Sequence, residues 1–203
     1  MKLFNFIPNL LTLTNLFFGC VAVVFGVMGD LEKLALFVSL GLICDFFDGF
    51  FARLLKVDNK LGVQLDSLSD LVTFGLTSSI VILNIIGSST FVIENSSNFL
   101  ISLTPYLAFL ITLSSSYRLA KFNVSTIGTD FTGLPTPANA ILIVFLPQFI
   151  ERFQLELIFE NIFILIVLVF LSISTLIVVT LSFTKSFPFN LVNWSIALTI
   201  ISS

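Results

Sequence analysis

Only 10% of the 203 residues are charged and 57% are hydrophobic, whereas charged residues make up about a quarter of an ordinary soluble domain. The chain is therefore predicted to be an integral membrane protein. Its formal net charge of −3 gives no support for nucleic-acid binding, and the absence of histidine argues against zinc catalysis and histidine-based proton relays.

The first apolar segment covers residues 7–27. Its length reaches the roughly 20 residues of a spanning helix and exceeds the roughly 10-residue strands of a membrane barrel. We predict a retained first helix, because a strongly positive start and a small-residue cleavage site are missing. The polar residues Asn9, Thr12 and Asn15 recur on one face. Contact with a neighbouring helix and contact with a ligand are both open interpretations of this stripe.

A short charged turn at residues 30–33 precedes the second and third segments, residues 34–56 and 62–86. These two segments are separated by a short polar turn, residues 57–60, so they are predicted to be antiparallel neighbours.

After a polar loop, the fourth segment covers residues 99–123, the short fifth covers 137–149, and the sixth covers 162–183. The prediction is an all-α membrane bundle of six core transmembrane helices, forming one domain over residues 1–184. The apolar tail, residues 185–203, is too short to span; it is predicted to be an interfacial helix or the start of an incomplete seventh helix.

Basic residues set the predicted orientation, because they are enriched in cytoplasmic loops. A cytoplasmic N-terminus places Lys2, Arg53, Lys56, Lys60, Arg118, Lys121 and Lys185 inside, and Lys33 and Arg152 outside. We therefore expect a multi-pass protein of the plasma (inner) membrane with its functional site facing the cytosol.

Four aspartates interrupt the second and third apolar segments. Each opposes membrane insertion by roughly 2.5–3.5 kcal/mol near a helix centre, so four cost on the order of 10 kcal/mol. Asp45 and Asp48 are spaced i, i+3, and Asp66 and Asp70 are spaced i, i+4, so each pair lies on one helix face. The short turn places all four at a similar depth. Carboxylates so close together require protonation or bound cations, and hard oxygen ligands favour two divalent cations, Mg²⁺ or Mn²⁺.

Small and basic residues accompany these aspartates. Gly49 and Ala52 would let a ring approach the helix, and Arg53 offers a positive fork for phosphate. Taken singly, the small residues would indicate helix packing and the arginine would reach the membrane surface. Their spacing relative to the aspartates favours a site for a nucleotide diphosphate.

These positions resemble the signature of the CDP-alcohol phosphatidyltransferase family. The matching residues are Asp45-x-x-Asp48-Gly49-x-x-Ala52-Arg53, then eight residues, then Gly62-x-x-x-Asp66-x-x-x-Asp70. The resemblance implies a six-helix membrane domain, commonly a homodimer, in which the four aspartates bind two metals and Asp70 serves as general base. It further implies that the CDP group is bound by Gly49, Ala52, Arg53 and Gly62, together with Asn9 and Thr12.

Three further stretches resemble the phosphatidylserine synthase branch of the family. They are Pro8-Asn9-x-x-Thr12-x-x-Asn15, the run from Arg118 to Val124, and the run from Gly133 to Ala138. The resemblance implies that CDP-diacylglycerol and L-serine, in contact with membrane lipids, give phosphatidylserine and CMP by attack on the β-phosphorus. Candidate serine-binding residues are Arg118, Lys121, Asn123 and Thr136.

Two alternatives remain open from the residues. The same chemistry could use another acceptor, such as glycerol-3-phosphate, inositol or inositol phosphate. A metal-ion or proton transporter would also carry intramembrane aspartates, but it leaves the spacing of Gly49, Ala52 and Arg53 unexplained.

Overall fold

The computed structural model describes residues 6–55, 60–124 and 135–154, and the regular structure within these ranges is helical. The helices are α1 (Phe6–Val27), α2 (Leu31–Leu54), α3 (Lys60–Gly87), α4 (Thr90–Glu94), α5 (Phe99–Val124), α6 (Thr136–Val144) and α7 (Leu146–Arg152). α3 changes to π-helical geometry over Leu71–Leu76, and α5 includes a 3₁₀ segment over Thr104–Ala108.

Among the described residues, four helices are long and apolar enough to cross a membrane: α1, α2, α3 and α5, with 22, 24, 28 and 26 residues. At 1.5 Å per residue, even a 22-residue helix is about 33 Å long, enough for the roughly 30 Å hydrocarbon core. A multi-pass helical membrane protein is thus indicated. The predicted sixth helix and the tail lie outside the described residues.

Local chemistry moves some helix boundaries away from the predicted ones. α2 begins at Leu31, so the charged turn predicted at residues 30–33 is wrong. Asp30 caps the helix by accepting a hydrogen bond from the Lys33 backbone N–H at 3.0 Å, and its carboxylate also pairs with Lys33 Nζ at 2.6 Å. The hydrogen bond from the Lys33 side chain lowers the pKa of the Asp30 carboxyl group.

The predicted loop after the third segment contains α4, and the predicted fifth segment consists of two helices. α6 and α7 meet at Phe145, and Pro147 lies in the first turn of α7. Proline cannot donate a backbone hydrogen bond and its ring crowds the preceding turn, so it interrupts a continuous helix here.

The site is positioned by close packing of α1, α2 and α3. α1 is antiparallel to α2 and parallel to α3, and Gly19 and Gly41 lie at points where the helices approach closely. A Cβ atom on Gly41 would lie 2.7 Å from Thr73 Cγ2, and one on Gly19 would lie 2.9 Å from Thr73 Cα. Small residues at such positions let helix backbones approach, which is how membrane helices gain packing energy.

The π segment of α3 begins directly after Asp70 and packs against α1, α5 and α6. Beyond it, buried hydroxyls are satisfied within the helix: Thr77 Oγ1 donates to Thr73 O at 2.5 Å and Ser78 Oγ donates to Phe74 O at 2.6 Å. A π segment inserts an extra residue into the helical register, so it rotates the aspartate-bearing half of α3 relative to the half that follows.

Candidate metal and nucleotide site

Four carboxyl groups converge where α2 faces α3. Carboxylate oxygens of Asp45, Asp48 and Asp66 all lie within 4.8 Å of one another. The fourth group, Asp70, shares a hydrogen bond with Asp45. The helical spacing within each pair, combined with the packing of α2 on α3, therefore produces a single acidic cluster of Asp45, Asp48, Asp66 and Asp70.

Helix α1 holds one side of this cluster. Asp48, only 5% exposed, accepts a hydrogen bond from Thr12 Oγ1 at 2.6 Å. The same hydroxyl lies 3.0 Å from Pro8 O, but a carboxylate is the stronger acceptor for its single hydrogen. Ser69 Oγ donates to Thr12 O at 3.2 Å, so α3 in turn positions the threonine. Thr12 therefore orients Asp48 directly.

The donor set of the acidic cluster fits a hard divalent cation. Oxygens bound to one ion at about 2.0–2.6 Å lie at most roughly 5.2 Å apart, which accommodates the observed 4.8 Å limit. Carboxylates are the ligands that Mg²⁺ and Mn²⁺ prefer, and cations would offset the repulsion between these negative groups. The cluster could therefore hold metal.

Helix α5 contributes a buried positive charge, the guanidinium of Arg118. Arg118 is 6% exposed, its Nη1 donates to Thr136 Oγ1 at 2.7 Å, and it lies within electrostatic range of Asp70. Thr136 begins α6, so this bond ties α5 to α6. Two of the candidate serine-binding residues, Arg118 and Thr136, are thus in contact with each other, and Arg118 lies within electrostatic range of the acidic cluster.

Asn123 occupies a different environment from Arg118. Its Nδ2 donates to Ser67 Oγ at 2.9 Å and lies 3.5 Å from Gln64 Oε1, while Ser67 Oγ lies 3.2 Å from Asn123 Oδ1. Ser67 is the neighbour of Asp66 in α3. The structure therefore engages Asn123 in a link between α5 and α3, beside the aspartates.

The candidate nucleotide-binding residues border the cluster. Among the described residues, a Cβ atom on Gly49 would meet only Arg53 Nη2, at 4.0 Å, which leaves room for a ligand at this helix surface. Arg53 is exposed, and its Nε donates to Gly49 O at 3.0 Å. The remaining candidates are half-buried: Asn9, Ala52, Gly62 and Lys121.

Sequence reasoning did not single out the small polar residues of α3 that lie between its two aspartates or just after them. Ser67 contacts Asn123, Ser69 contacts α1, and Thr73 Oγ1 donates to Asn15 O at 3.1 Å. The run Gln64-Leu65-Asp66-Ser67-Leu68-Ser69-Asp70 is strongly polar for a membrane helix. This high proportion of polar residues could have indicated further site residues, although a small hydroxyl residue taken alone indicates only helix packing.

Comparison with known proteins identifies the family. The family model described as CDP-alcohol phosphatidyltransferase matches residues 5–184. The chain belongs to this family. All the candidate site residues fall within the matched range, so the acidic cluster lies in the CDP-alcohol phosphatidyltransferase region of the chain.

Curated relatives carry more specific names. A CDP-diacylglycerol–serine O-phosphatidyltransferase of Bacillus subtilis is 31% identical over 148 residues, covering 70% of this chain and 75% of that protein. The protein of the same name from Helicobacter pylori is 31% identical over 140 residues, covering 68% of this chain and 55% of that protein. An archaetidylserine synthase of Methanothermobacter thermautotrophicus is 33% identical over 147 residues, covering 70% of this chain and 58% of that protein.

The match thus extends over about half the length of the Helicobacter pylori relative. No solved structure matches the chain significantly.

Proposed function

We propose that this family member transfers the phosphatidyl group of CDP-diacylglycerol to the hydroxyl of L-serine, giving phosphatidylserine and CMP. The observation that carries the proposal is that Arg118 is buried and lies within electrostatic range of Asp70, a member of the acidic cluster. A cation next to a metal-binding site suits an acceptor with a carboxylate close to its reacting hydroxyl. The names of the curated relatives support the same acceptor.

The nucleotide half of the reaction uses α1 and α2. Divalent cations, Mg²⁺ or Mn²⁺, would be held by Asp45, Asp48, Asp66 and Asp70, and would stabilise negative charge on the phosphates during displacement. Thr12 keeps Asp48 oriented, and the open surface of Gly49 admits the CDP group. Arg53, held to Gly49 O through Nε, directs the outer edge of its guanidinium toward phosphate.

The acceptor half uses α3 and α5. In this proposal the guanidinium of Arg118 binds the serine carboxylate, because its planar donors match carboxylate geometry. A carboxylate oxygen of Asp70 accepts the proton of the serine hydroxyl as the new serine O–P bond forms, and CMP leaves as its bond to the β-phosphorus breaks. Lys121 and Thr136 complete the acceptor side, while Asn123 acts through its contact with Ser67 beside Asp66.

The number of buried basic side chains helps to distinguish serine from the phosphorylated acceptors. Among the described residues, Arg118 is the only basic side chain that is buried. Glycerol-3-phosphate or inositol phosphate carries a dianionic group that calls for several clustered cations, whereas the serine carboxylate needs one. This difference favours serine.

The proposal also covers the location, membrane topology and oligomeric state of the enzyme. We propose an enzyme of the plasma (inner) membrane with a cytoplasmic N-terminus, a cytosolic active site, one catalytic domain over residues 1–184, and a homodimeric state. The excess of basic residues at the predicted cytoplasmic ends supports this orientation.

A reconstituted assay tests the proposal. Purified protein receives CDP-diacylglycerol, Mn²⁺ or Mg²⁺, and separately serine, glycerol-3-phosphate, inositol or inositol phosphate, with CMP as the measured product. We expect CMP release that depends on both serine and the divalent cation. Release with another acceptor instead of serine would overturn the acceptor assignment, and no release with any acceptor would overturn the enzyme assignment.

A further inference from the structure

Asn15 in α1 is a fully buried amide that the proposed reaction does not use. Its exposure is 0%, and neither Nδ2 nor Oδ1 has a hydrogen-bond partner among the described residues. Leaving a buried amide unpaired destabilises the folded state, so buried polar groups are nearly always paired by protein or by ordered water. Asn15 therefore calls for a partner.

The position of Asn15 is defined by contacts with both helices that carry the aspartates. Thr73 Oγ1 of α3 donates to its backbone carbonyl at 3.1 Å. On α2, a Cβ atom on Gly41 would lie 2.8 Å from Asn15 Oδ1. The amide thus lies in the interior of the α1, α2 and α3 packing, in a layer formed with Gly41 and Thr73.

This layer lies one helical turn from the carboxyl pair of Asp45 and Asp70. Asp45 follows Gly41 by four residues, a rise of about 6 Å, and Asp70 precedes Thr73 by three residues, about 4.5 Å. Two successive hydrogen bonds through one water molecule span about 5.6–5.8 Å. The axial offset between the two layers is therefore of the size that a single bridging water spans.

The carboxyl pair has acceptor capacity on its buried side. Asp70 is 8% exposed, and its Oδ1 is a buried oxygen without a hydrogen-bond partner among the described residues. An unpaired amide donor and an unpaired carboxylate acceptor thus occur on neighbouring layers of the same helix packing. A water between them would have the two or more polar partners that a buried water needs.

We propose that a buried water molecule bridges the side-chain amide of Asn15 to the carboxyl pair of Asp45 and Asp70, making Asn15 a positioning residue for the acidic cluster. Asn15 acts through the aspartates and touches no substrate. The inference rests on the proposed function, because its variant test reads the metal affinity of these carboxylates.

The test compares variants of similar size and different polarity. Asn15→Ala and Asn15→Ser create nearly the same loss of volume, but only serine keeps a hydroxyl able to hold the water. Mn²⁺ affinity of the purified protein is measured without substrate, by calorimetry or electron paramagnetic resonance. Loss of a group that orients metal ligands should weaken binding roughly 10–100-fold in Asn15→Ala, with Asn15→Ser within about threefold of wild type.

Asn84→Ala is the matched control. Its Nδ2 donates to Gly26 O at 3.0 Å and to Ile80 O at 2.8 Å, and Asn84 lies about four turns of α3 away from Asp70. This variant should lower the melting temperature and leave Mn²⁺ affinity unchanged. Equal affinities in the alanine and serine variants of Asn15, whether both normal or both weakened, would overturn the proposal, because a packing role affects both alike.

A high-resolution density map of the wild-type protein tests directly whether the bridging water is present, even if the variants fail to fold. Density for a water within hydrogen-bond distance of Asn15 Nδ2 and of either carboxyl group supports the bridge. A resolved Asn15 without such a water, or with a cation in its place, overturns it. A wild-type protein that shows the bridge but binds no Mn²⁺ would refute the proposed function and leave the bridge standing.

Discussion

Replacing Arg118 tests how the acceptor is recognised. Arg118→Ala removes a guanidinium that is 6% exposed, interacts electrostatically with Asp70 and donates a hydrogen bond to Thr136 at 2.7 Å. A hydrogen bond to a charged group contributes about 1.5–3 kcal/mol, which corresponds to roughly 10–150-fold in affinity. We therefore expect the KM for serine to rise by that factor at saturating CDP-diacylglycerol, with a smaller change in kcat, because the contact is present before the reaction starts.

The assay is CMP release against serine concentration, run in parallel with ethanolamine, an amino alcohol without a carboxylate. Wild-type protein should discriminate strongly for serine, and Arg118→Ala should narrow the ratio of the two KM values. The ratio for Arg118→Lys should lie between those of wild type and Arg118→Ala, because lysine keeps the charge but lacks the planar guanidinium. Thr136→Val keeps the guanidinium and removes only its hydroxyl acceptor, so its KM should rise by less than in Arg118→Ala.

Arg152→Ala is the control, because this arginine is exposed in the last turn of α7. It should leave both kinetic constants unchanged. A wild-type serine KM and an unchanged preference over ethanolamine in Arg118→Ala would refute the reasoning, whatever the effect on kcat.

Asp48→Asn should reduce Mn²⁺ affinity by more than the roughly 10–100-fold typical of groups that only orient ligands, which calorimetry would detect; unchanged affinity would remove Asp48 from the metal site. Chelation should lower the melting temperature of wild type and not of Asp48→Asn, because a ligand at 100 times its Kd stabilises by about 2.7 kcal/mol. Gly41→Ala should destabilise by about 1–3 kcal/mol, since its Cβ would lie 2.7 Å from Thr73 Cγ2; a melting temperature equal to wild type would show that the helices can separate there. Asn123→Leu removes the hydrogen bond to Ser67 beside Asp66 and should reduce kcat in the CMP-release assay. An unchanged kcat would show that Asn123 does not contribute to the reaction.

The membrane class and the positions of the first four long helices could be predicted from the sequence, because the transfer energy of apolar residues depends on composition and length. The aspartate pairs could also be predicted, since i, i+3 and i, i+4 spacings share a helix face regardless of what the helix packs against. Boundaries shifted where capping or proline intervened: Asp30 starts α2 earlier than predicted, and Pro147 divides the fifth segment.

Contacts between helices distant in sequence were decided by the tertiary structure. The Thr12 hydroxyl on Asp48, the approach of Arg118 to Asp70 and the burial of Asn15 depend on how α1 and α5 pack on α2 and α3. Asn123 illustrates the limit: its sequence neighbours suggested an acceptor contact, and the packing gave it hydrogen bonds to α3.

The sequence by itself therefore determined that this protein carries two acidic helix faces in a membrane, with small and basic residues beside them. It also predicted that these faces meet at one depth, but only the tertiary structure decided which hydroxyl orients the acidic cluster and which amide is buried next to it. The physical reason is that periodicity and transfer energy are local properties of the chain. Close approach between helices depends on small residues such as Gly19 and Gly41. The sequence of one helix does not specify which residue of another helix will face them.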